Sequence, residues 1–321
     1  MGASAGPTPD GQAPPRARWA DLLRHALSLA VLVFVIVPAW RLLQRWDGAA
    51  VHVNWTLVAV SVLPLVAGIL VQAYGWVWLV RHLSGQVVPW VDGVYIHVAS
   101  QLARYVPGKI GVPIVRIGGA ARHGVPKRVA ATSLAVEMIS WLAAGGVLGL
   151  LHLIGARTEL NELAAFAGSL SSWALGFGVV GTLLLITVNQ TRLPKIARRT
   201  LGASGNGPLL PKTVLATHGL YWLSWSLHGV LLMAAVAMPL EGAWARSGFF
   251  ILAPVLGFVV LIAPAGVGIR EAVLSIGLAA VTTPSTAIAA AVLSRGVTLL
   301  ADVATWGYFR ATRGPLGKSA Q

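Results

Sequence analysis

Eight ionisable side chains stand where the surrounding sequence offers them little water: Arg104, Lys109, Arg116, Glu137, Arg270, Glu271, Arg295 and Asp302. A charge placed inside a bilayer costs at least about 2.5–3.5 kcal/mol on insertion scales, so each one needs a reason. One reading gives them to a substrate. Arg forks onto two phosphate oxygens and Lys acts as a point charge, so Arg104, Lys109, Arg116 and Arg270 suit an anionic headgroup. The other reading has Arg104, Lys109 and Arg116 snorkel to the surface and merely fix topology. Glu137 and Arg295 either pair, face a shared cavity, or form a purely structural ion pair. Glu271 beside Arg270 suits a local pair with the turn backbone. Asp302 lies seven residues after Arg295 and therefore on the same helix face. It either completes a network or meets cytoplasmic water.

Bond chemistry has little support in these residue types. Glu137 could act as a base, but nothing in the sequence orients it. There are no paired carboxylates, metal-ligand spacing, nucleophile motif or phosphate loop. His97, His152, His218 and His228 are scattered and read as helix-packing residues. No catalytic residue, metal or cofactor is expected, and the chain reads as a non-enzyme.

Of the 321 residues, 56% are hydrophobic and only 11% charged. Soluble domains carry about 25% charged residues, so lipid must be the solvent for much of this surface. The net charge of +14 does not point to nucleic acid, because the Lys and Arg fall between apolar spans. Cysteine is absent, which excludes disulfides and cysteine-ligated metal. Residues 1–22 read as a disordered cytoplasmic tail with no cleavable signal peptide.

The elements that must position the charges are helices. Apolar runs of about 20 residues predict six spans, Arg24–Leu43, Thr56–Val80, Val129–Ile154, Ala164–Val188, Thr213–Met238 and Thr286–Tyr308. With the N-terminus inside, 18 of the 24 Lys and Arg fall on the cytoplasmic side and four outside. Both termini are therefore expected in the cytoplasm. Trp40, Trp46, Trp55, Trp90, Trp244 and Trp306 fall near span ends, as interfacial anchors do. Trp76, Trp78, Trp141, Trp173, Trp222 and Trp225 lie deeper and read as packing between helices.

Two apolar stretches are broken. The first breaks at Pro107, Gly108 and Gly111, the second at Pro264, Gly266 and Gly268. Proline removes a backbone donor and glycine weakens a helix. In lipid the freed groups need protein or cavity water, so each stretch reads as a re-entrant hairpin. The breaks also match. Gly111 and Gly268 each follow their proline by four residues. Pro126 and Pro284 follow by 19 and 20, and Glu137 and Arg295 stand 11 residues beyond those. Each half reads span, span, hairpin, span. Three spans per half reverse the second copy, which gives an inverted repeat with hairpins entering from opposite faces. In transporters of that design the breaks mark the binding site. The half-helix N-termini after Pro107 and Pro264 would add donors and positive dipole ends.

The run QLARYVPGKIGVPIVRIGGAARHGVPKRVAATSLAVEMISW resembles the first signature of the lysylphosphatidylglycerol synthase transmembrane, flippase-like family. LIAPAGVGIREAVL resembles its second signature, with Ala265 in place of the first glycine. The resemblance extends from about Arg24 to Arg310. It implies an integral membrane protein that moves or presents charged or glycosylated lipids. Some members carry a fused aminoacyl transferase domain; here only a short tail follows the last span, so a stand-alone lipid-handling member is expected.

The fold expected is an all-α polytopic membrane protein with six full spans and two oppositely oriented re-entrant hairpins. Residues 23–310 form one domain, with repeats at about 23–155 and 164–310, and 311–321 is a cytoplasmic tail. The expected function is to bind and flip an anionic or modified phospholipid or a polyprenyl-type lipid across the cell membrane. The alternative is an accessory subunit presenting lipid to a glycosyl- or aminoacyl-transferase. The expected partners are membrane lipids and a lipid-modifying enzyme, not nucleic acid.

Overall fold

The structure, a computed structural model, describes residues 51–105, 110–153, 208–259, 266 and 268–313. The expected spans Arg24–Leu43 and Ala164–Val188 lie outside these residues, as do Pro107, Gly108, Lys109 and Pro264. Everything described is helix joined by short turns. In chain order the helices are α1 (Trp55–Val60), α2 (Val62–Ser84), α3 (Trp90–Ala103), α4 (Gly111–Ala121) and α5 (Lys127–Leu153). They continue with α6 (Lys212–Ala235), α7 (Ala243–Arg246), α8 (Gly248–Val259), α9 (Ile269–Ala279) and α10 (Pro284–Thr312).

Local chemistry sets the ends. Asn54 Oδ1 accepts from the Leu57 N–H at 3.2 Å and starts α1. Thr283 does the same for Thr286 at 3.2 Å, and Pro284 takes the first turn of α10, where a missing N–H is harmless. Gly85 ends α2 at φ +72°. The predicted span Thr56–Val80 is divided at Ser61, whose Oγ donates to the Val58 carbonyl at 2.7 Å and so competes with the helix ladder.

Three stretches, Trp55–Ser84 (α1 and α2 together), Lys127–Leu153 and Pro284–Thr312, are long and apolar enough to cross a membrane. Their outer faces expose Leu63, Leu151, Val292, Leu299 and Val303, the residues a lipid-facing surface needs. At 24 residues, α6 has the length but is not among these three, since Thr217, His218, Ser226 and His228 dilute its apolarity. All four are buried, so α6 turns its polar groups inward. His218 Nε2 lies 2.8 Å from Ser140 Oγ on α5, and His228 Nε2 lies 3.1 Å from Ser294 Oγ on α10. Such cross-helix bonds join helices where the hydrophobic effect cannot.

The first and second halves meet along α2 and α6, which run antiparallel. A Cβ on Gly68 would strike Ser224, and one on Gly75 would strike Thr217, so glycine is what allows this approach. Two shorter antiparallel pairs fill the space beside them. In the α3–α4 pair, Gly119 lies against Ile96 and Gly111 against Ala103. In the α8–α9 pair, Gly277 lies against Phe249 and Gly266 against Gly257. The open end of α3–α4 lies where α2 ends and α5 begins. The open end of α8–α9 lies where α5 ends and α10 begins. The closed ends of the two pairs, marked by Arg104 and Val112 in the first and by Gly257 and Arg270 in the second, face one cavity in the interior.

Candidate functional site

A cavity of ≈ 230 Å³ lies between the closed ends. Its wall is mostly apolar, with Val112, Leu134, Met138, Pro254 and Phe258 beside the rings of Trp141, Tyr221 and Trp225. Set into that wall are Gln72, Gln101, Glu137 and three arginines, Arg104, Arg116 and Arg270. They come from α2, α3, α4, α5 and α9, so only the folded bundle brings them together.

Arg116 and Glu137 form the first pair. Arg116 Nη1 donates to Glu137 Oε2 at 2.7 Å, and Arg116 Nε donates to Ser100 Oγ at 2.9 Å. Its guanidinium lies 4.6 Å from the Trp76 ring centre, a cation–π contact. The other carboxylate oxygen, Oε1, has no hydrogen-bond partner; His97 Nδ1 lies 3.8 Å away and has none either. His97 Nε2 lies 3.3 Å from Gln101 Nε2.

Arg104 and Asp302 form the second pair. Arg104 Nη2 donates to Asp302 Oδ2 at 2.5 Å, and the Tyr105 hydroxyl donates to the same oxygen at 3.1 Å. Arg104 Nη1 donates to Gln101 Oε1 at 3.0 Å, and the other end of that amide meets His97, beside the first pair. Asp302 is buried and does not reach water. Beyond it, the Arg295 guanidinium lies over the Tyr105 ring at 5.4 Å, and Arg295 Nε is 3.9 Å from Glu271 Oε1. Glu271 Oε2 accepts the Gly268 N–H at 2.6 Å, so this carboxylate already caps the N-terminus of α9.

Arg270 differs from the other two arginines. It is 5% exposed, and among the described residues no carboxylate lies within 4 Å of it. It has a long contact from Nη2 to Thr298 Oγ1 at 3.5 Å and the Trp225 ring at 5.1 Å. Its Nε has no acceptor, and neither do Arg104 Nε and Trp141 Nε1. A buried donor left unpaired costs about 1–3 kcal/mol, more when charged. The cavity therefore has spare donors and spare positive charge.

The candidate residues fall into three groups. Arg104, Arg116, Glu137 and Arg270 line the cavity. Glu271, Arg295 and Asp302 stand behind the lining and hold its closed ends in place. Glu137 and Arg295 do not pair with each other, since Glu137 meets Arg116 and Arg295 meets Glu271. Of the turn glycines, Gly111 sits where a Cβ would lie 2.8 Å from the Ala103 carbonyl oxygen. Gly266 (φ +69°) sits where a Cβ would lie 2.7 Å from the Gly257 Cα, and Gly268 adopts φ +85°. His97, Gln72, Gln101 and the rings of Trp141, Tyr221 and Trp225 were not among the candidates. Gln72 carried a signal, as a polar amide in an apolar span; the aromatic residues carried none that distinguishes a cavity wall from a packed core.

A comparison with protein-family models matches residues 22–305 to the Lysylphosphatidylglycerol synthase TM region. No curated protein matches the chain. The match spans most of the sequence and includes every helix end that builds the cavity. The chain belongs to the lysylphosphatidylglycerol synthase TM region family, and is a membrane protein linked to lipid handling.

Proposed function

We propose that the cavity binds the anionic headgroup of a phospholipid-type or polyprenyl-type lipid and that the chain flips this lipid across the cell membrane. The observation that carries the reading is Arg270, a buried arginine on an apolar wall with no carboxylate partner among the described residues. A phosphate oxygen would satisfy the spare donors that the protein leaves unpaired. The apolar remainder of the wall suits the glycerol backbone and the first methylenes of a tail.

In this reading α3–α4 and α8–α9 are re-entrant hairpins that enter from opposite faces, in an inverted repeat of six spans with both termini in the cytoplasm. Supporting it, α4 and α9 are both 11 residues long, and each pair is followed by a long helix led by proline. Carriage rather than bond chemistry is favoured because Glu137, the one carboxylate on the wall among the described residues, is already held by Arg116.

The test is Arg270→Met, which keeps much of the volume and removes the charge. Binding of labelled phosphatidylglycerol by the purified protein is expected to fall by about tenfold or more, the loss of a charge-assisted contact of about 1.5–3 kcal/mol. Thermal stability is expected to hold or rise, because an unpaired buried cation is gone. Unchanged lipid binding and unchanged flipping in proteoliposomes would sink the proposal. Binding that persists without flipping would instead favour a subunit that presents lipid to an enzyme.

A further inference from the structure

Glu137 and His97 leave an unfinished contact beside the cavity. Glu137 Oε1 and His97 Nδ1 are both buried, both without a hydrogen-bond partner, and 3.8 Å apart. A structural ion pair would close that gap. Glu137 is also the only carboxylate on the cavity wall among the described residues. Because Arg116 Nη1 lies 2.7 Å from Glu137 Oε2, no anion can take Arg116 without also standing near this carboxylate.

We propose that Glu137, with His97 beside it, is a proton-binding site that loads together with the anionic headgroup, so that the chain cotransports protons with lipid. The inference rests on the lipid-binding reading above. In the empty cavity, Arg116 is held by Glu137 Oε2. When a phosphate oxygen takes Arg116, the carboxylate loses its countercharge and faces a second negative group. A proton on Glu137 Oε2, the oxygen that Arg116 vacates, removes that repulsion. Gln101 gives its Oε1 to Arg104 and its amide N–H to His97 Nε2, so His97 Nδ1–H is left to donate to Glu137 Oε1 across a gap that a sub-ångström shift closes. One negative charge and one positive charge enter together, so the charge in the cavity is unchanged. On release the steps reverse: the phosphate leaves Arg116, the proton leaves Glu137, and the ion pair re-forms.

The groups around Glu137 are compatible with this role. From α4 it faces Arg116, and from α3 it faces His97 with Arg104 beyond Gln101. The α6 helix brings His218, bonded to Ser140 one turn along α5, and Tyr221 on the cavity wall. Helix α9 brings Arg270, while α2 supplies Gln72 and α8 has no ionisable side chain. Helix α7 carries Arg246, which bonds the Glu241 carbonyl at the far end of α5. A single carboxylate thus sits among cations and one close imidazole, the setting in which its protonation follows the arrival of another anion.

The experiment uses the purified full chain in a neutral detergent and short-chain phosphatidylglycerol as the probe. Trp141 and Trp225 on the wall report binding by fluorescence, and a pH indicator in weak buffer reports proton uptake. Lipid addition to the wild type is expected to take up about one proton per lipid bound. The apparent dissociation constant is expected to rise by up to about tenfold per pH unit at alkaline pH. In Glu137→Gln, a permanent stand-in for the neutral carboxyl, the expected result is binding without proton uptake and without that slope. Wild-type binding with no proton uptake and a flat pH profile would overturn the proposal without a variant, leaving the lipid site standing. So would a Glu137→Gln protein that binds with the wild-type slope, since the proton would then sit elsewhere. Absence of binding at every pH would remove the lipid reading itself, and the coupled proton with it.

Discussion

At the level of single residues, the cavity holds three arginines in two states. Arg116 and Arg104 have carboxylates and Arg270 has none among the described residues. Removing a partner from a buried pair leaves a stranded charge, which costs far more than removing an unpaired charge. Asp302→Asn strands Arg104, whose side chain is 22% exposed, so part of the loss is screened. The expected destabilisation is about 1–3 kcal/mol, against none for Arg270→Met, and thermal unfolding in detergent measures both. Equal losses for the two variants would contradict this assignment of partners. The sequence pointed to these residues because a charge is conspicuous in an apolar run. It did not disclose their partners. Counting from the prolines puts Glu137 and Arg295 at equivalent positions, yet each is taken by a side chain of its own half, 21 and 24 residues away. Only packing decides between partners at such separations.

Helices and their contacts were legible where a local signal exists. Pro126 and Pro284 stand at the starts of α5 and α10, as expected of a residue that has no N–H to lose. The division at Ser61 escaped, because a serine hydroxyl turned back on its own carbonyl looks in sequence like any buried serine. The close approaches escaped as well: a glycine reads as a break, and only the neighbouring helix shows that its missing Cβ is filled. Gly145 makes the case, since a Cβ there would lie 2.5 Å from the Trp222 ring. Trp222 cannot readily yield, because it is fully buried and its Nε1 donates to the Trp141 carbonyl at 3.0 Å. Gly145→Leu is expected to destabilise by about 1–3 kcal/mol and to disturb Trp141 on the cavity wall. Gly296→Ala, in the open on α10, is expected to cost nothing. Comparing their melting temperatures with the wild type checks both.

Across the molecule, the charge is sorted by end. Arg81, Arg122, Lys127, Arg128, Lys212, Arg310 and Arg313 gather where α2 and α10 finish and α5 and α6 begin. The other end holds Arg246, bonded to the Glu241 carbonyl at 2.6 Å. Positive charge favours the cytoplasmic side, so the crowded end is expected inside. The chain has no cysteine, which makes single-cysteine labelling direct. Glu241→Cys is expected to react with an impermeant maleimide on intact cells, and Lys127→Cys only after permeabilisation; the reverse pattern would invert the orientation. The described half of that sorting was visible in the sequence, because topology follows from counting Lys and Arg between spans. The meeting of the closed ends over α10 was not. Asp302 there holds Arg104 and Tyr105 from the first pair, while Arg295 and Thr298 on the same face meet Glu271 and Arg270 from the second. A helix is a stiff rod, and seven residues of it measure about 10 Å. In the flipping reading proposed above, that rod grips both pairs, and neither can swing without dragging on the other. A flippase built in this way, whose passage must never stand open to both sides at once, would need no separate interlock, because its two doors would hang from a single hinge post.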